Sequence, residues 1–544
     1  MIVGTSLAAL IATVTMTVSS ADAAAPIRNW VGCMVPSPAV TRTVLAAFES
    51  TLGARPTPSA QAAPHHDTDG DSHGRPSATP SPSGLDSPTA SDTPTASDTP
   101  TASDTPTTSA SPSDSSSPTA SSTPDPSTST PFVPVGGGST VPDSAELSDA
   151  QLADSVGVDV HPSYSGTTYL QNGSNDVALH ELEKLGVKNV RTRVGPNPAP
   201  YLQTFFKGMA ADGIKTLAVM GTPDGRWGTY GLGQSPELLQ AVTSGPYRGL
   251  LSGLEMPNEW DHNGGSNWAS GLEAFDTEYS SMMAVTGLPI LEGSMAHPDG
   301  YSSFKAASPS EGRNIHPYAG SSLPEADAVI PTWSSAASRS DVNPSLTATE
   351  FGWHNALDTT GGVSEQQSAA YLLRGLLWNK THGVNRSYIY ELFDEKPEAA
   401  LQNREMHFGL VAVTGDPSAT PDTWQQREKP AFTQLKDFLA YLKDSGSSTG
   451  KPVAYTLSGA PSDVYSVPLV RSDGSTDIAI WRRIPLDSQA TNGATTVGLN
   501  LPATASVTAY DSQSGSTKTL TSAGTSVSVP ISGAVTIVRV TPGG

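Results

Sequence analysis

Two short segments carry the residue types needed to break a glycosidic bond. Leu254-Glu255-Met256-Pro257-Asn258-Glu259-Trp260-Asp261 and Thr347-Ala348-Thr349-Glu350-Phe351-Gly352-Trp353 each read as the end of a buried strand bearing a carboxylate. In that chemistry one carboxyl group protonates the leaving oxygen, and the other attacks the sugar or activates a water. A separation of about 5–5.5 Å between them gives retention of configuration, and a wider one gives inversion. Sequence does not measure the gap. An Asn-Glu pair alone is a common and weak signal, so the weight falls on the elements that would bring Glu259 and Glu350 to one place.

From about residue 154 the pattern is strand then helix, eight times over. Strands are expected at 156–160, 187–194, 214–220, 250–256, 289–293, 314–317, 346–351 and 386–392. Helices are expected at 176–185, 201–211, 236–243, 271–285, 325–338, 366–380 and 429–442, with only a weak one after strand five. Asn175 and Ser364 stand where N-caps belong, and Gly186, Gly213 and Gly383 where helices end. Eight such units fit one (β/α)8 TIM barrel, in which catalytic groups stand at the C-terminal ends of the strands. A doubly wound open sheet would advertise a Gly-rich phosphate turn, and none is present. The barrel is assigned to residues 149–443. After a Ser/Gly hinge the period becomes two, and seven short strands over 451–544 read as a C-terminal β-sandwich.

The residues before the barrel are a different material. Residues 57–148 are rich in Ser, Thr, Pro and Asp, with the hexamer Pro-Thr-Ala-Ser-Asp-Thr in tandem at 88–93, 94–99 and 100–105. Such a segment has too little apolar surface to offset chain entropy and is expected to be a disordered linker, suited to an O-glycosylated stalk. Within it, His65 to His73 lacks calcium-loop spacing and reads as a solvated charge cluster. Residues 1–23 read as a signal peptide ending in Ala21-Asp22-Ala23, although no Lys or Arg precedes the apolar run. Residues 24–56 form a short segment resembling the opening of a second barrel. Cys33, the sole cysteine, excludes a disulfide framework, and its surroundings match a lipid-attachment site poorly.

The 544 residues carry 52 acidic and 30 basic side chains, a formal charge of −22. That balance argues against nucleic acid and against an anionic membrane surface, and the acidity reads as solubility. No membrane span is expected, because the N-terminal apolar run is too short.

In order along the barrel, Asn258-Glu259 on strand four and Glu350 on strand seven resemble the two catalytic positions of the clan A glycoside hydrolases. The resemblance implies that Glu259 is the acid/base, Glu350 the nucleophile, and Asn258 a partner of the sugar 2-hydroxyl. It makes Arg191 the arginine beside the nucleophile. His316 and Tyr318, in Ile315-His316-Pro317-Tyr318, become strand-six groups that orient the nucleophile or touch sugar. Val363-Ser364-Glu365, Phe408-Gly409-Leu410 and Lys429-Pro430-Ala431-Phe432 are similar to a secreted bacterial branch near glycoside hydrolase families 39 and 5. Many clan members carry a strand-eight Trp as a sugar platform. Here strand eight runs Tyr388-Ile389-Tyr390-Glu391-Leu392, and Glu391 is expected to replace the platform with a hydrogen-bonding acid.

Trp227, Trp260, Trp268, Trp333 and Trp353 lie in or near loops after strands, where an aromatic face can stack on sugar. Trp260 and Trp353 are the expected substrate contacts among them. The function expected is a secreted, retaining hydrolase of β-linked poly- or oligosaccharide, monomeric and free of metal and organic cofactor. Glu259 should hold a raised pKa through burial beside Glu350. The rival readings are a cell-surface glycan-binding barrel without catalysis and a transglycosidase using the same residues.

Overall fold

Short apolar strands separated by amphipathic helices close on themselves as expected. The computed structural model describes residues 147–544, apart from 327–328, 340, 445, 447–449, 487–492 and 544. The expected signal peptide, N-terminal segment and nearly all of the linker lie outside the described residues. Strands β1 (Val156–Asp159), β2 (Asn189–Arg193), β3 (Lys215–Val219), β4 (Leu251–Glu255), β5 (Ile290–Leu291), β6 (Gly312–Ile315), β7 (Asn343–Phe351) and β8 (Val384–Ile389) form a closed barrel in sequence order. Neighbours pair in parallel, including β1 with β8. The register sets Asp159 beside Arg191 and Val219 beside both Arg193 and Glu255. Charged residues therefore collect at one level, the C-terminal ends of neighbouring strands.

The helices are α1 (Asp149–Asp154), α2 (Asp176–Leu185), α3 (Pro200–Ala211), α4 (Ser235–Thr243), α5 (Trp260–Asn263), α6 (Trp268–Met283), α7 (Val329–Ala336), α8 (Glu365–Thr381) and α9 (Pro430–Tyr441). Ser364 caps α8 in a reciprocal box with Gln367. Gly186 ends α2 at φ 80°, a left-handed turn that costs glycine least. Asn175 makes no such cap, because its amide donates to the carbonyls of Pro162 and Tyr169 inside the fold.

Helix α5 and two short C-terminal strands, Ser516–Thr519 and Ser522–Ala523, are additional to the expectation, and further elements differ from it. Helix α1 begins at a Ser148–Gln151 capping box, just before the barrel. An antiparallel hairpin, β9 (Val411–Thr414) and β10 (Gln425–Glu428), lies between β8 and α9. Strand eight stops at Ile389, after which Leu392 N–H donates to the Asp159 carbonyl and Leu410 N–H to that of Glu391. Helix α7 starts at Val329 rather than 325, because the fully buried Glu325 is drawn into a bidentate pair with Arg374.

The C-terminal region has a four-stranded sheet, β11 (Thr456–Ser458), β14 (Thr495–Asn500), β18 (Ser526–Ile531) and β17 (Ser522–Ala523). The facing five-stranded sheet runs β12 (Val464–Val470), β13 (Thr476–Arg482), β19 (Thr536–Pro542), β15 (Ala505–Asp511) and β16 (Ser516–Thr519). Leu457, Ile480, Val497, Val529 and Val538 pack between the two sheets. Helix α8 is buried almost all round because it lies between barrel and sandwich, where Arg374 also donates to the Ile484 and Gly533 carbonyls.

Candidate active site

Buried charges must be paired, and the strand ends obey this through one guanidinium. Arg191, at 4 % exposure, donates from Nε and Nη2 to the two oxygens of Glu255 at 2.6 and 2.7 Å. Its Nη1 reaches Glu350 Oε1 at 2.7 Å, and Nη2 reaches Asn258 Oδ1 at 2.5 Å. Asp159 lies 3.5 Å from Nη1. Burial pushes the Asp159 carboxyl well above its usual range; Arg191 opposes this, but Glu350 and Glu255 add to it. Tyr318 donates its hydroxyl to the other oxygen of Glu350 at 2.8 Å, and burial first, then Glu350, keeps that phenol neutral.

Glu259 follows β4 and sits with φ 45° at the start of α5, a backbone region costly for a side-chain-bearing residue. Its N–H donates to the Ser294 carbonyl at 3.0 Å, fixing that turn. Its Oε1 lies 2.7 Å from His316 Nδ1. From His316 Nε2 the contacts continue to Thr349 Oγ1 at 3.0 Å, from Thr349 to Asn314 Oδ1 at 2.6 Å, and from Asn314 Nδ2 to Glu255 Oε1 at 3.0 Å. Glu259 and Glu350 are thus the two ends of one network, through His316 on one side and Arg191 on the other. One oxygen of each lies within 4.8 Å of the other and of a His316 ring nitrogen. The Glu259 side chain is 25 % exposed and that of Glu350 is 10 %.

The expected rise of the Glu259 pKa does not hold. Burial does raise it, but the hydrogen bond and charge of His316, with help from Arg191 and His262, leave it below the usual carboxylate range. His316 moves the other way: burial opposes the imidazolium, but Glu350 and Glu259 outweigh that and raise it above 6.5. The proton of this pair therefore rests on His316, with Glu259 ionised.

These groups open into a cavity of about 420 Å³, within the size range of small-ligand pockets. Arg191, Asn258, Glu259, Tyr318, Glu350 and Trp353 all line it. With Oδ1 held by Arg191, Asn258 has its amide N–H groups to offer a ligand. Trp353 is held by its Nε1–H to the Ser322 carbonyl at 3.1 Å. Trp260, Glu391 and His316, all expected as substrate contacts, lie off this wall; His316 is buried and reaches the site only through Glu259 and Glu350. Trp260 is 4 % exposed, beneath the Arg226 guanidinium. Glu391 is fully buried and accepts from the Tyr169 hydroxyl at 2.9 Å. Burial pushes the Glu391 carboxyl well up and His161 down to about 3, so their 3.3 Å contact joins two neutral groups. Tyr390, directly after β8, is an aromatic residue that lines the cavity.

Sequence reasoning passed over Glu255, Asn314, Thr349 and Asp159. The signal was a polar residue inside an otherwise apolar strand, which needs a buried partner.

Glu259, His316 and Glu350 are spaced so that a divalent cation could also bridge them. Their donor atoms are already engaged by Arg191, Tyr318, Thr349 and one another, and a cation there would face the Arg191 guanidinium. At the rim, residues 221–231 form a loop after β3. A Cβ on Gly221 would lie 2.0 Å from the Tyr230 carbonyl oxygen, and one on Gly195 2.3 Å from that of Gly228. Only glycine permits these approaches. The loop holds Trp227 half exposed at φ 59°.

No family model and no curated protein matches the chain. Among solved structures, the bacterial orthologue of human α-L-iduronidase is 11 % identical at a TM-score of 0.45, covering 71 % of this chain and 84 % of its own. A maltogenic α-amylase of Thermotoga neapolitana is 10 % identical at 0.39, covering 72 % and 100 %. An endo-β-1,4-mannanase of Thermotoga petrophila is 13 % identical at 0.33, covering 69 % and 91 %. Values this low add nothing to what the strands themselves show. No helix among the described residues is long and apolar enough to cross a membrane.

Proposed function

We propose that the chain is a retaining glycoside hydrolase acting on β-linked poly- or oligosaccharide, with Glu350 as nucleophile and Glu259 as acid/base. The observation that carries this is the convergence of the two carboxylates, oxygens within 4.8 Å, in one cavity at the strand ends. That spacing suits direct attack by Glu350 better than a water placed between the two groups. The order of these residues along the barrel, with its resemblance to clan A, supports the same roles and the β linkage.

Glu350 Oε attacks the anomeric carbon while the glycosidic C–O bond breaks and Glu259 protonates the departing oxygen. The proton starts on His316 Nδ1. As Glu350 becomes an ester it loses the charge that most strongly holds His316 protonated, so the proton passes from His316 to Glu259 and on to the departing oxygen as the C–O bond breaks. Glu259 then takes a proton from a water whose oxygen attacks the anomeric carbon, the bond from that carbon to Glu350 breaks, and passage of the proton back to His316 restores the first state. Arg191 and Tyr318 keep Glu350 aligned throughout. The apolar N-terminal run implies that this enzyme works outside the cell.

The test is digestion of a panel of β-linked glycans by the full chain, with Glu350→Gln as control, and NMR observation of the first-formed anomer. Cleavage with retention, lost in the variant, is expected. Inverted product, or a variant within tenfold of wild type, removes the proposal. Calorimetric glycan binding without cleavage would assign the barrel to recognition instead. Products built on excess acceptor sugar would assign it to transfer.

A further inference from the structure

The cavity contains a second guanidinium that the cleavage chemistry leaves unused. Arg193, two residues beyond Arg191 on β2, lines the same wall. Its Nη1 donates to the Tyr164 hydroxyl at 3.0 Å, and its central carbon lies 4.8 Å from the Trp227 ring centre. Tyr164 in turn stacks on His161 at 4.6 Å. Among the described residues no carboxylate lies within 4 Å of Arg193, whereas Arg191 has three and the neighbouring Arg226 pairs with Asp224.

We propose that Arg193 is the recognition group for an anionic substituent, a carboxylate or a sulfate ester, on the sugar that enters this cavity. The proposal rests on the hydrolase reading and names the substrate class of the same site.

Three features favour it. A guanidinium keeps its charge at all relevant pH values, so a half-buried one with no carboxylate in contact is free to take an external counter-charge. Five N–H groups in a planar fork match the two oxygens of a carboxylate or sulfate, and the hydroxyl of Tyr164 uses one of the five. The side chain is also held before the ligand arrives. Trp227 covers a face, Tyr164 fixes an edge, and the glycine-locked loop holds Trp227, so little rotamer entropy remains to be lost. The carboxylates of the mouth repel an anion, which makes a dedicated cation beside them the way to admit one.

The test is calorimetric titration of the full chain with glucuronic, galacturonic, mannuronic and iduronic acids against glucose, galactose, mannose and idose. A second arm sets glucose 6-sulfate against glucose. Wild type should bind at least one acidic member on the order of 10- to 100-fold more tightly than its neutral counterpart. In Arg193→Gln that ratio should fall toward one. In Arg193→Lys, which keeps the charge without the fork, it should be intermediate. A preference in the first arm alone identifies a uronic acid, and in the second alone a sulfated sugar. No preference for any anionic member, or a preference that survives in Arg193→Gln, overturns the proposal. Because binding is read directly, this holds whether or not cleavage occurs, and loss of turnover in Glu350→Gln reports separately on the hydrolase reading. Unchanged melting of both Arg193 variants shows that the ratio reflects recognition rather than folding.

Discussion

The barrel mouth and the seam between barrel and sandwich both bury arginine against glutamate, with opposite bookkeeping. At the seam, Arg374 and Glu325 are both fully buried, one charge for one. Trp481 Nε1 donates to Glu325 at 2.7 Å, and the Ile484 and Gly533 carbonyls take further Arg374 protons. At the mouth, Arg191 faces three acids, and burial together with the neighbouring Glu350 and Glu255 pushes the Asp159 carboxyl well above its usual range. A saturated pair holds two elements together and has nothing left to react. An over-subscribed cation leaves a carboxylate whose alignment is fixed while its charge can be spent on bond formation.

That contrast breaks most sharply at Glu350. Glu350→Gln should lower kcat on an aryl β-glycoside by at least about 10³-fold, with near-native melting, because a nucleophile has no substitute. A variant equally slow but unfolded would move Glu350 to the structural class. The converse substitution is Arg374→Met. It strands Glu325 without its cation and should cost about 3–5 kcal/mol in denaturant unfolding, while the folded fraction keeps its kcat. Lost kcat at undiminished stability would erase the distinction between the two regions.

Glu259→Gln should cost about 10²–10⁴-fold on a sugar leaving group, and much less on 4-nitrophenol, which departs without protonation. Equal losses on both would deny it the acid role. The smallest effect concerns pH. In wild type the basic limb of kcat/KM should lie above pH 6.5, since His316 holds the proton and its pKa is raised. In His316→Asn the proton must sit on Glu259 alone, so the limb should move to lower pH. A limb that stays in place would show that the proton never resides on His316.

Much of this was legible from residue order. The eight strands and the two glutamates could be read because apolar runs and strand-end acids follow from burial and barrel geometry. The network between them could not. Thr349 and Asn314 are ordinary polar residues until a neighbouring strand supplies a partner, and that partner depends on register. Glu325 was read as the first residue of a helix, since nothing local betrays an arginine 49 positions away. Glu391 was read as a substrate contact because strand eight carries a sugar-platform Trp in many clan members; here the acid lies past Ile389, buried against the Tyr169 hydroxyl. The hairpin β9–β10 was missed because Val411–Thr414 is only four residues long and its mate is polar.

The close glycine contacts under Trp227 have a kinetic corollary. A doorway braced by backbone against backbone resists swinging, so under the hydrolase proposal sugar is expected to enter and leave through an aperture of nearly constant width. Residence time should then follow the contacts inside the chamber, and solvent viscosity should slow arrival without slowing any closing step.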